Sequence, residues 1–143
     1  MADFVVEWVQ NLLEGLREQV DEETRARVLA HCSHACTAPW ADKAREIRQR
    51  APGADVTTLL TAFCAVLPGG GPHVQVEDDT IYWSFAPDSC PCPIGQLTGN
   101  PAVCLCGQSH VQGMLEALLG RPLTVRLERS CLRGDGECAY TIR

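Results

Sequence analysis

The sequence predicts an α+β domain in which N-terminal helices pack on an antiparallel sheet built from two hairpins. Three observations lead there. Apolar residues recur at helical spacing between Phe4 and Leu67. The run Pro68-Gly69-Gly70-Gly71-Pro72 then breaks the chain, and beyond it the apolar period changes to two. The remainder of the chain reads as hairpin, cysteine-rich loop, helix and hairpin, and helices segregated from antiparallel strands mark α+β architecture. A length of 143 residues suits a single domain, 1–143, with a helical part at 1–67 and a hairpin–helix–hairpin part at 73–143. That size buries a core without cross-links.

Phe4, Val5, Trp8, Val9, Leu12, Leu13 and Leu16 form the apolar stripe of a first helix that ends before Asp21. Its near lack of Lys and Arg argues for a core-facing or dimer-facing stripe rather than a membrane-surface helix. Asp21 caps a second helix, with Glu22 and Glu23 at its positive end. That helix is expected to run toward Cys36 and stop before Pro39, since a proline pushes the residue before it out of helical geometry. A third helix starts near Pro39 and Trp40 and reaches Arg50, and Asp55 caps a fourth that carries Leu59, Leu60, Phe63, Cys64 and Leu67. Residues 73–77 and 80–86 flank Asp78-Asp79 as a hairpin. Residues 87–101 are a loop rich in Pro, Gly and Cys, and 103–119 is helical in its second half. Strands at 123–128 and 137–142 meet across Gly134-Asp135-Gly136.

Twelve Lys and Arg against eighteen Asp and Glu give a formal net charge of −6. With no basic block, the chain has no electrostatic reason to hold nucleic acid. Met1 to Val9 lack a cationic signal-peptide start, and no apolar run approaches spanning length. The expectation is a cytoplasmic protein without membrane association. Nine cysteines in a reducing compartment are then thiols or metal ligands more often than disulfides. No catalytic constellation stands out, and Ser109-His110 lacks an orienting carboxylate.

The cysteines fall into three groups. Cys32 and Cys36, flanked by His31 and His34, lie one helical turn apart and read either as small core residues or as a two-ligand clamp. Cys90 and Cys92, separated by Pro91, suit ligation or reversible thiol chemistry, or are free loop thiols; the spacing is not the two-residue spacing of thioredoxin-type sites. Glu128, Cys131 and Cys138 can converge at the closing hairpin, with Cys104 or Cys106 as a fourth ligand. Thiolates plus a carboxylate make a closed four-coordinate zinc site, structural rather than catalytic. The alternatives are a buried thiol pair beside a solvated Glu, or a redox iron–sulfur or transition-metal centre gathering Cys32, Cys36, Cys90, Cys92, Cys104 and Cys106.

The stretch Gly113 to Pro122, Glu128-x-x-Cys131, Gly134-Asp135-Gly136 and Cys138-Ala139-Tyr140-Thr141-Ile142 resembles the 4-vinyl reductase domain family, over roughly residues 81–143. The family includes the sensor domain of phenol-responsive activators, and its fold is similar to that of Golgi trafficking subunits. The resemblance implies zinc on Cys104, Glu128, Cys131 and Cys138, and a pocket between sheet and helices for a small hydrophobic or aromatic ligand. Trp83 would line that pocket with its indole N–H as donor, joined by Phe85, His73 and His110. The implied role is a sensor or accessory module, and the apolar stripe of the first helix, apart from the resemblance, suits a homodimer. No output domain is present, so signalling would pass to a separate protein.

Overall fold

The computed structural model describes all residues, Met1–Arg143. Four helices open the chain: α1 (Ala2–Gln19), α2 (Glu22–Cys32), α3 (His34–Arg50) and α4 (Val56–Val66). Strands β1 (His73–Glu77) and β2 (Thr80–Ser84) form the first hairpin. A short α5 (Pro93–Thr98) interrupts the loop, α6 (Cys104–Leu119) crosses the sheet, and β3 (Val125–Arg129) and β4 (Ala139–Ile142) close the chain. The expected α+β architecture is present, as helices packed on one four-stranded antiparallel sheet of order β1-β2-β4-β3. The second hairpin inserts β4 against β2, pairing Trp83 with Tyr140 and Ile81 with Ile142, and leaves β1 and β3 as edges.

Asp21 and Asp55 cap α2 and α4 by accepting from the backbone N–H of Thr24 and Thr58, each at 2.7 Å. The break between α2 and α3 falls at Ser33, not before Pro39. Ser33 is buried, and its hydroxyl donates to the Ala30 carbonyl at 2.6 Å, while its own carbonyl accepts from Thr37. Pro39 sits inside α3 near its start. A proline there removes only one intrahelical hydrogen bond, and burial of Ala41 and Ala44 on the same helix offsets that loss. The expected loop at 87–101 holds α5, begun by Pro93 and closed by Gly99 in the left-handed region. Helix α6 is helical over its whole length.

The main core gathers Ala44, Leu59, Leu60, Phe63, Ile81, Trp83, Leu115, Leu118 and Ile142 between the helices and one face of the sheet. Helices α3 and α6 approach closely because α6 carries Gly113 where a Cβ would come 2.7 Å from the Thr37 methyl. Leu13, Leu29 and Val103 form a separate, smaller core under α1.

Candidate functional site

Three regions could carry function: a thiol-rich pole, an apolar groove beside β1, and the outer face of α1. The pole lies where the 87–101 loop, the start of α6 and the β3–β4 turn meet. Cys104 faces the turn, with its sulfur 3.1 Å from the buried Ser130 hydroxyl. Cys90 is tucked against Gly95, where an added Cβ would come 3.0 Å from its sulfur. Cys92 accepts from the Gly95 backbone N–H at 3.3 Å, acting as the N-cap of α5. Cys138 is buried and accepts from the Cys131 backbone N–H at 3.4 Å. Cys32 and Cys36 are exposed, but both lie within electrostatic reach of Cys106. Every cysteine except Cys64 thus belongs to this one end of the molecule, and all nine are free thiols.

Burial, reinforced by neighbouring thiols, raises the pKa values of Cys104, Cys106 and Cys138. Cys106 is pushed up to about 12 by burial, then by Cys36, Cys92 and Cys32. Cys138 is likewise pushed up to about 12 by burial, the Cys131 backbone contact only partly opposing it. Burial raises Cys104 too, against the opposing pull of Ser130 and Arg133. Desolvation also raises Tyr140, which faces the same pole.

The expected metal centre is not assembled. No three His, Cys, Asp or Glu side chains stand in an arrangement that could hold a metal ion. Of Cys104, Glu128, Cys131 and Cys138, Glu128 is the one that points away from the others. Strand alternation puts Glu128 on the solvent face with Arg126, and the register slip between Leu127 and Arg129 leaves it there. There its carboxylate accepts from the Thr141 hydroxyl at 2.7 Å and sits 3.6 Å from Arg126. Cys138 continues the inward row of Tyr140 and Ile142 on the opposite face. The six thiols of the cluster alternative divide between two sides of α6 for a helical reason. Cys104 and Cys106 lie two apart on α6, roughly 200° around the axis. Cys104 therefore meets Ser130 while Cys106 meets the Cys32 and Cys36 side, with Cys90 on the former side and Cys92 within reach of both.

The four pocket candidates are dispersed. Trp83 is 1 % exposed in the main core, and Phe85 packs at that core's edge. His73 is exposed on the outer side of β1. His110 faces α3, with Nδ1 3.0 Å from the Thr37 hydroxyl. The Trp83 Nε1–H is buried without a hydrogen-bond partner. A groove of about 410 Å³ runs between α4 and β1, lined by Leu60, Cys64, Pro72, Val74 and Val76 among others. Val74 is the cross-strand partner of Trp83. Periodicity could not reveal this groove, because it depends on how α4 settles against an edge strand.

Helix α1 carries two apolar seams. Val6, Val9, Leu13 and Leu16 turn inward, and only Leu13 among them is fully buried. Met1, Phe4, Val5, Trp8 and Leu12 turn outward and are 99, 63, 52, 57 and 47 % exposed. The seams differ by roughly 100° around the helix, so one apolar arc is half covered.

No protein-family model and no curated protein matches the sequence. Among solved structures, trafficking protein particle complex subunit 3 from Naegleria fowleri, covalently bound to palmitic acid, superposes with a TM-score of 0.53. The alignment covers 99 % of this chain and 93 % of that one at 12 % identity. The fold is similar to that of a trafficking-particle subunit. At this identity the likeness establishes the fold alone. It corrects the resemblance to the 4-vinyl reductase domain and to phenol-responsive sensors, which no family model supports. The short Gly-Asp-Gly-x-Cys motif that suggested it describes a tight hairpin turn, with Gly134 and Gly136 at positive φ. Such a turn recurs for backbone reasons in unrelated chains. No helix is long and apolar enough to cross a membrane.

Proposed function

We propose that the protein is a non-enzymatic interaction module that pairs with a second copy of itself through the outer seam of α1. The observation that carries this reading is the exposure of Met1, Phe4, Val5, Trp8 and Leu12 along a single helix. Together they present on the order of 600 Å² of apolar surface, at the top of what a monomer's largest patch shows and close to the half-share of a standard interface. The stripe is self-complementary. An antiparallel pairing about a twofold axis at Trp8 sets Phe4 opposite Leu12 and Met1 over Gly15 of the second copy. Gly15 has no neighbour within 4 Å of where its Cβ would be, which leaves room there. The acidic residues Asp3, Glu7, Glu14 and Glu18 lie off this seam, so like charges are not forced together. The similarity to a subunit of a particle complex agrees with an assembly role.

Sedimentation at micromolar concentration tests the reading. The wild-type chain is expected to be a dimer and Trp8→Glu a folded monomer, with association weakened at least ~100-fold, as for a central aromatic anchor. A monomeric wild-type protein, or a Trp8→Glu variant of unchanged mass, would sink it.

A second reading is favoured by the orphan Trp83 Nε1–H. A buried donor without a partner is costly, and a small apolar molecule that enters from the α4–β1 groove past Val74, the cross-strand partner of Trp83, and carries one acceptor oxygen would satisfy it. The palmitic acid carried by the similar trafficking subunit is a molecule of that kind. Titration with palmitate and, separately, with phenol should shift the Trp83 indole N–H resonance. Absence of any shift at millimolar concentration rules the reading out.

A further inference from the structure

We propose that Cys131 and Cys138 form a reversible dithiol, a modification site at which a low-molecular-weight disulfide converts the β3–β4 turn into a cross-linked loop. The placement of the pair comes from the turn. Ser130 and Asp135 close it, with the Ser130 N–H donating to the Asp135 carboxylate at 2.9 Å and the Asp135 N–H returning to the Ser130 carbonyl at 3.0 Å. The Gly134 N–H bonds the Cys131 carbonyl at 3.0 Å, and positive φ at Gly134 and Gly136 folds the chain back. The result brings the Cys131 backbone N–H to 3.4 Å from the Cys138 sulfur. The two thiols also lie within side-chain hydrogen-bonding reach of one another, so rotation about χ1 is the motion that would bring the sulfurs to bonding distance.

The two thiols have different exposures, which sets their order of reaction. Cys131 is half-buried and open to solvent, whereas Cys138 is 5 % exposed. The Cys131 thiolate attacks one sulfur of the small disulfide RSSR, forming a mixed disulfide and releasing RS⁻. Cys138 then gives up its proton, aided by the Cys131 N–H that already faces its sulfur. Its thiolate attacks the Cys131 sulfur and expels the second RS⁻. Two protein thiols are oxidised, RSSR is reduced to two RSH after proton uptake, and excess RSH reverses the sequence. Its burial keeps Cys138 from reacting first. Cys90 and Cys104 lie close by, so the location of the cross-link is the decisive readout.

The full chain is incubated with oxidised glutathione and digested with trypsin without reductant. Cleavage after Arg129 and Arg133 should leave peptide 130–133 joined to peptide 134–143, with the intact mass lower by two hydrogens. Cys138→Ser should stop at one glutathione on Cys131. Cys131→Ser should leave Cys138 unmodified over a period at least ~10-fold longer than the wild-type reaction. The closed loop should raise the melting temperature by roughly 5 °C. A cross-link within Cys90–Cys92 or from Cys104 would overturn the assignment. So would full titration of all nine thiols without a cross-link, or thiols that react only after a chelator has removed bound zinc. The wild-type peptide map decides the matter even if a variant fails to fold.

Discussion

The two halves of this molecule are held by different means. In the larger half, α3, α4 and α6 pack on the sheet around a core whose Ala44, Phe63, Leu115, Leu118 and Ile142 are sealed from solvent. In the smaller, α1 and the thiol pole rest on Leu13, Leu29 and Val103, with Val9, Leu16, Cys92, Cys106 and Leu132 only partly covered. Apolar burial sets stability, so the first half should carry the global unfolding transition. The second should open locally at lower cost. The surfaces proposed for pairing and for thiol chemistry both lie in the weaker half.

Phe63→Ala is the most damaging way to probe the contrast. The ring is fully enclosed, and its removal should cost about 3–5 kcal/mol in denaturant unfolding. Leu13→Ala is the matching change in the small core and should cost about 2 kcal/mol, because a site at the edge collapses more easily. The signature matters more than the size. Hydrogen exchange in Leu13→Ala should rise across residues 2–19 and stay unchanged in α6. Equal acceleration in both would mean that the two cores unfold as one. Trp8→Glu should leave monomer stability almost unaltered, since the side chain is 57 % exposed, and should change only the assembly.

The same division governs what the sequence made legible. The large half announced itself. Periodicity placed α4 and both hairpins, and Asp21 and Asp55 marked helix starts because a cap is a local hydrogen bond. Pro39 misled because the cost of a proline depends on its depth in a helix, which is decided by where Ser33 turns the chain. The gathering of cysteines at one pole was half visible: their groups could be named, but not which sulfurs meet. Glu128 stands on the solvent face by plain alternation with Arg126, a signal the sequence held and the ligand assignment overrode. The outer seam of α1 was written in the sequence as surplus apolar residues, and only packing could divide covered from uncovered.

The smallest predicted effect lies in the seam between α3 and α6 and asks whether the rigid half is also the pH-sensitive one. The Thr37 hydroxyl donates to the Ser33 carbonyl at 2.8 Å, so its contact with His110 must run the other way, with Nδ1–H donating to Thr37 Oγ1. The second ring nitrogen, Nε2, is then unprotonated, and adding a proton there places a charge in a half-buried site. Burial accordingly holds the His110 pKa below its ordinary value of about 6.5. The unfolded chain therefore binds the proton more readily than the folded one. This contribution to stability is complete above pH about 6.5 and declines as the pH falls toward the lower folded value. His110→Asn sets an amide N–H where Nδ1 stands, preserves the bond to Thr37 and cannot titrate. Its stability should be flatter than that of the wild type between pH 5 and about 6.5, the range in which an ordinary histidine titrates. If the two pH profiles run parallel there, His110 is not the group responsible; the carboxylates capping α2 and α4, whose pKa values backbone hydrogen bonds lower, act only at more acidic pH.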